Sequence, residues 1–171
     1  MQRAHDFVCH TGCHLFLTGK AGTGKTTFLK KLRQTTQKQI IVTAPTGVAA
    51  INAGGVTLHS FFQLPFGPYV PGRAGNAFDN RRFFRFSKEK KRIIKGLDLL
   101  VIDEISMVRA DLLDAVDAVL KRLRRDDRPF GGVQLLLIGD LFQLPPVAKP
   151  GEWHLLKEYY DSVYLLFINF L

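Results

Sequence analysis

The 171 residues predict an α/β fold of three layers, a mainly parallel central sheet between two layers of helices. Three observations carry that prediction. Short apolar runs stand at residues 14–17, 39–42, 99–102 and 135–138, and near-continuous Leu, Ile and Val suits strands buried on both faces. Stretches of helical periodicity lie between the runs. Each run also ends in polar, chemically competent residues, and open parallel sheets gather ligands at that edge.

The residues before the first run, MQRAHDFVCH, lack the long apolar core and small-residue cleavage site of a secretory signal. No apolar run approaches the ~20 residues of a membrane-spanning helix. With 46% hydrophobic and 23% charged residues, the composition is that of a globular chain, so a cytoplasmic location without a membrane partner is expected. The two cysteines, Cys9 and Cys13, alternate with His10 and His14. Zinc sites draw on a second ligand pair further along, and none is visible, so this cluster is read as a reduced helix-to-strand junction.

Behind the first run, Gly19-Lys20-Ala21-Gly22-Thr23-Gly24-Lys25-Thr26 fits G-x-x-x-x-G-K-[ST] between a strand and a helix. The glycines let backbone N–H groups wrap phosphates, and the helix beginning at Lys25 presents its positive end. Lys25 is expected to reach the β- and γ-phosphates of ATP, and Thr26 to ligate Mg²⁺. Gly19, Ala21, Gly22, Thr23, Gly24 and Thr27 complete the candidate nucleotide ligands. In the helix itself, Phe28, Leu29 and Leu32 share one face.

The second run leads into Thr43-Ala44-Pro45-Thr46-Gly47. Beyond it, residues 65–80 read as an irregular insertion, with Pro65, Gly67, Pro68, Pro71, Gly72 and Gly75. Residues 65–95 hold nine Lys or Arg against Asp79 and Glu89, a local net charge of +7 out of +9 for the chain. Such concentration points to a polyanion; a solvated surface run is the alternative.

The third run ends in Asp103-Glu104. A carboxylate closing a buried strand beside a phosphate loop holds Mg²⁺, and its neighbour is placed to orient and deprotonate an attacking water. A helix over 109–125 follows. It is expected to bury Leu112, Leu113, Val116, Val119, Leu120 and Leu123 and to turn Asp114, Asp117, Lys121 and Arg124 outward. The fourth run meets Gly139-Asp140-Leu141-Phe142-Gln143. A neutral amide there can touch both γ-phosphate and water, so Gln143 is a candidate sensor of the nucleotide.

Together GKAGTGKTT, TAPTGVAAINAGGVTLHSFF, DEISMV and GDLFQLPPV resemble the PIF family of DNA helicases, in the 5′-to-3′ branch of superfamily one. The likeness covers roughly residues 2–165, and several phrases look most like bacterial members. It implies one RecA-like ATPase lobe over 1–171, the first lobe of a motor, with a wedge that parts the duplex at about 65–80. Lys25, Glu104 and Gln143 would be catalytic, and Thr26 and Asp103 would hold the metal. Gln2, seventeen residues before Gly19, would read the adenine. Pro45, Thr46, Gly47, Thr57, His59, Ser60 and Phe61 would contact DNA, hydroxyls bonding phosphates and rings stacking on bases. Core packing is the alternative for Phe61 and Phe62, and packing against the domain for Phe83 and Phe84 beside the cations of 81–86. The implied partners are single-stranded DNA, single/double-strand junctions and a second RecA-like lobe absent from this chain, in a bacterial, nucleoid-associated setting. The apolar residues 165–171 depart from the family pattern, which suggests a fragment or truncated product. Two other readings compete: a small-molecule P-loop enzyme indifferent to DNA, and a non-enzymatic single-strand binder whose ATP site is structural.

Overall fold

A computed structural model describes residues 1–20, 22–70, 86–140, 142–143, 145–147 and 149–162. Five parallel strands form one sheet in the order β1-β5-β4-β2-β3, with β1 Leu15–Thr18, β2 Ile40–Ala44, β3 Val56–Thr57, β4 Leu99–Ile102 and β5 Gln134–Gly139. Around it stand α1 (Gln2–His10), α2 (Lys25–Thr35), α3 (Gly47–Asn52), α4 (Leu58–Phe62), α5 (Lys88–Lys95), α6 (Ala110–Arg124) and α7 (Pro150–Leu156).

Alternate residues of each central strand bury on opposite faces, which is why the runs read as continuously apolar. Leu100, Ile102, Leu135 and Leu137 join a core with α4, α5 and α6, through Leu58, Phe62, Ile94, Leu113 and Val116. Leu99, Val101, Leu136 and Ile138 join a second core with Val8 of α1 and Phe28, Leu29 and Leu32 of α2. The three-layer α/β prediction therefore holds, with strand ends shifted by a residue or two.

β3 is the strand that the sequence did not announce. It pairs Val56 with Thr43 and Thr57 with Ala44, and two residues are too short for periodicity to register. Its approach depends on Gly55, where a Cβ would stand 2.2 Å from the Val42 carbonyl oxygen.

The expectation that α6 turns its charges to solvent is corrected. Asp114 accepts from the Tyr160 hydroxyl at 2.6 Å, and Asp117 accepts from the Phe130 N–H while pairing with Lys121 at 2.8 Å. Arg124 donates to the carbonyls of Ile94, Lys95 and Leu97, capping α5, and to that of Gly131. Helical spacing marks a polar face but cannot say whether another element lies against it.

The Cys/His cluster forms the predicted helix-to-strand junction. Lys38 donates to the carbonyls of Val8 and Thr11 at the end of α1, each at 2.6 Å, and to the Gln134 side chain. Gln134 in turn donates to the Cys13 carbonyl, and the Leu135 N–H donates to His14 Nδ1. Among the described residues no helix is long and apolar enough to cross a membrane.

Candidate functional site

The phosphate-loop motif bridges β1 and α2. Gly22 and Gly24 have φ of 80° and 86°, in the left-handed region that favours glycine. Gly24 is also the N-cap of α2, so no side chain caps the helix, and its first turn carries no acid. The positive end of α2 is thus left to an outside anion. Thr23 Oγ1 donates to the Lys20 carbonyl at 2.8 Å, tightening the turn. Lys25 Nζ curls over the loop to the carbonyls of Gly19 and Lys20. Thr26 and Thr27 stand exposed in the first turn of α2, while Ala21 lies outside the described residues.

Two strands away, β4 delivers the acid pair. The Asp103 N–H donates to the Thr43 carbonyl at 2.8 Å, extending the β2–β4 ladder by one residue. Asp103 Oδ1 accepts the Glu104 N–H at 3.0 Å. Glu104 has φ 52°, uncommon outside glycine, and this swings the chain out of the strand into a short 3₁₀ turn over Ile105–Met107. Burial pushes both carboxyls above their ordinary pKa. The Lys25 ammonium is near enough to both to pull in the opposite direction, and Asp103 and Asp140 push Glu104 further up.

β5 lies between the phosphate-loop strand and the acid strand, and its end completes the rim. With neighbouring strands about 4.8 Å apart, β1 and β4 are roughly 10 Å from each other. Gly139 makes the passage possible: a Cβ there would lie 2.9 Å from Ile105 Cγ2 and 3.1 Å from the Ile105 nitrogen. Asp140, 6% exposed, accepts the Phe142 N–H at 3.1 Å and the Gln143 side-chain amide at 3.2 Å. Sequence reasoning quoted Asp140 without giving it a task; the Asp followed by Gln three residues later was the available signal. A cleft of about 280 Å³ then brings Glu104, Ser106, Met107 and Gln143 together with Thr46, Val48, Ala49 and Asn52 of the β2–α3 segment.

The candidate DNA-contacting residues follow β2 and β3 on the same side of the sheet. Thr46 caps α3, accepting the Ala49 N–H at 3.2 Å, with half-buried Pro45 before it and exposed Gly47 after it. Thr57 caps α4, accepting the Ser60 N–H at 3.2 Å. Ser60 is exposed and His59 half-buried. Phe61 requires a correction: at 3% exposure it packs edge-on against Phe62 with Lys90 over its ring, so it offers no face to a base. Phe86, from the cation-and-ring stretch, is likewise in the core, whereas 71–85 fall outside the described residues. Gln2 is exposed at the start of α1, its amide donating to Asp6 at 2.9 Å.

The chain as a whole is matched by known proteins. The family model described as PIF1-like helicase matches residues 3–159. The chain belongs to the PIF1-like helicase family. Its fold is the RecA-like P-loop arrangement of that family. Bacteroides Pif1 bound to single-stranded DNA superposes with a TM-score of 0.86 at 49% identity, over 96% of this chain and 36% of that one. The same protein in complex with ADP-AlF4 superposes equally well, at 0.86 and 49%. The ATP-dependent DNA helicase PIF1 of Saccharomyces cerevisiae is 40% identical over 83% of this chain and 16% of its own length. The Psychrobacter helicase Pif1 is 37% identical over 85% and 22%. The expected leaning toward bacterial members is therefore modest, since one bacterial relative lies above the yeast protein in identity and the other below. This PIF1-like chain spans about a sixth to a fifth of those two curated relatives and about a third of the Bacteroides protein.

Proposed function

We propose that this chain is the nucleotide-holding and DNA-contacting lobe of an ATP-dependent 5′-to-3′ DNA helicase. One observation carries the reading: the Lys25 ammonium shares an electrostatic neighbourhood with Asp103 and Glu104, although β5 separates their strands. That juxtaposition is what a single phosphate–cation cluster requires.

The donor set fits Mg²⁺ and ATP. Thr26 supplies a hydroxyl and Asp103 a carboxylate, hard oxygen ligands of the kind Mg²⁺ takes. The uncapped start of α2 and the wrapped glycines suit phosphate oxygens, with Lys25 adding a cation able to leave its loop carbonyls for them. Held by Thr26 and Asp103, Mg²⁺ would supply positive charge against the negative charge of the phosphates. Gly19, Gly22, Thr23, Gly24 and Thr27 form the cradle, Ala21 is assigned to it by the motif alone, and Gln2 takes the adenine.

Glu104 orients the attacking water and receives its proton; burial and neighbouring carboxylates raise its basicity for that task. Gln143 senses the γ-phosphate in this reading, which is supported by its tether to Asp140 and by the cleft it shares with Glu104 and Thr46. Pro45, Thr46, Gly47, Thr57, His59 and Ser60 face the DNA strand, aided by exposed Lys88, Lys91, Arg92 and Lys95 on α5. Each threonine accepts a capping bond and retains a hydroxyl hydrogen to offer a phosphate. The inserted segment at 65–80 is the wedge at a single/double-strand junction, and the protein acts at the bacterial nucleoid.

In this reading a second RecA-like lobe outside this chain supplies arginines to the γ-phosphate, a contribution of ~10³–10⁵ in rate. That the relatives are several times longer than this chain is compatible with it. The test is ATP turnover with and without single-stranded DNA, by this chain and by one extended to its relatives' length. Slow turnover and no processive unwinding by the short chain, with fast DNA-stimulated turnover by the long one, is the expected result. Fast turnover by the monomeric short chain overturns the two-lobe proposal, and turnover by the long chain indifferent to DNA overturns the helicase reading.

A further inference from the structure

The loop that follows α4 holds one aromatic ring far out in solvent while both its feet are fixed. Phe66 is 92% exposed, although Leu64 before it and Val70 after it are 5% and 2% exposed. At the first foot, Gln63 closes α4 in the left-handed conformation, with φ 51°, and the Leu64 N–H donates to the His59 carbonyl at 3.0 Å. At the second foot, the Tyr69 N–H donates to Asp111 Oδ2 at 2.9 Å, a carboxylate gripped in turn by Arg109. Between them the chain bends at Gly67, whose φ of 114° is a conformation that side chains disfavour. The apex is therefore built, and Phe66 occupies it.

The ring is also oriented. His59 stacks on Phe66 with centroids 5.4 Å apart and planes inclined by 18°, an offset parallel pair. Burial and the nearby Arg109 guanidinium hold His59 below its ordinary pKa, so a neutral heterocycle backs the phenyl ring. At 92% exposure the offset contact with His59 covers little of the Phe66 ring, and the rest of it is open to solvent.

We propose that Phe66, backed by His59, is a stacking platform for one nucleobase of single-stranded DNA. The inference rests on the DNA-binding reading above and goes beyond it by assigning a base contact to one named residue at the start of the 65–80 segment. The occupant is chosen by the surroundings. His59 shares α4 with exposed Ser60, and α5, packed on the same helix through Lys90 above Phe61, exposes Lys88, Lys91, Arg92 and Lys95 against the single acid Glu89. A lone oriented ring within a cationic, hydroxyl-bearing surface suits a strand whose backbone is anionic and whose bases have π-faces. It also replaces Phe61, whose ring is buried.

The test uses short oligothymidylates carrying one 2-aminopurine, whose emission falls on stacking, titrated at several salt concentrations. Phe66→Ala is expected to weaken binding by roughly 5- to 150-fold, the range for one lost base–aromatic stack, and to restore emission. The dependence of affinity on salt should stay as in the parent, because no phosphate contact is lost. Phe66→Trp is expected to retain affinity and quenching, and Phe66→Leu to lose the quenching. Unchanged affinity and quenching in Phe66→Ala, with normal salt-dependent binding by the parent, overturns the platform but leaves the DNA-binding reading intact. Absence of any single-strand binding by the parent overturns both.

Discussion

Arg109 grips Asp111 through two parallel hydrogen bonds, Nε to Oδ1 at 2.8 Å and Nη2 to Oδ2 at 2.7 Å. Asp111 is 2% exposed and also accepts the Tyr69 N–H. The remaining arm of Arg109 reaches Glu152 of α7 at 2.8 Å. The two ion pairs of Arg109 therefore tie the start of α6 to the loop bearing Phe66 and to the last described helix.

Removing the cation leaves a buried carboxylate with no counter-charge. Arg109→Ala is expected to cost about 3–5 kcal/mol, whereas Arg109→Met combined with Asp111→Leu should recover much of that loss. Urea unfolding measures both. A cost below ~1 kcal/mol for the single variant would mean that the pair is solvated.

Gly139→Ala drives a methyl group against Ile105, at the turn that follows Glu104. The expected result is a loss of about 1–3 kcal/mol in thermal unfolding, together with slower ATP turnover as the turn is displaced. Normal stability and turnover would show that β5 can shift to make room.

Burial raises both Asp103 and Glu104, so the nucleotide-free folded chain binds these protons more tightly than the unfolded chain does. Their contribution to stability is full below the ordinary carboxylate range and is lost as pH climbs through the raised folded values. Asp103→Asn should flatten that decline and stabilise the nucleotide-free protein at neutral pH. Urea midpoints followed from about pH 4 to pH 8 decide the matter, and an unaltered slope in the variant would contradict it.

Much of this architecture was legible in the chain because strands buried on both faces write themselves as unbroken Leu, Ile and Val. The phosphate loop, the acid pair and Gln143 were legible because each follows such a run. What stayed hidden depends on contacts between distant elements. Nothing local to Asp114 or Arg124 announces Tyr160 or the end of α5, and a two-residue strand such as β3 has no period to detect. Phe61 and Phe66 show the same limit from the other side. Both rings sit near helix α4, one packed under Lys90 and the other raised on a pinned loop, and composition does not distinguish them.

The central claim is that Lys25, Thr26 and Asp103 serve one nucleotide–cation cluster, and calorimetric titration of ATP with and without Mg²⁺ tests it most directly. The parent chain should bind ATP more tightly with Mg²⁺ present, and Lys25→Ala should bind weakly under both conditions. Asp103→Asn should keep metal-free binding while losing the gain from Mg²⁺. If Asp103→Asn and Thr26→Ala both retain the full Mg²⁺ dependence, the loop and the acid strand do not share a site, and the account fails.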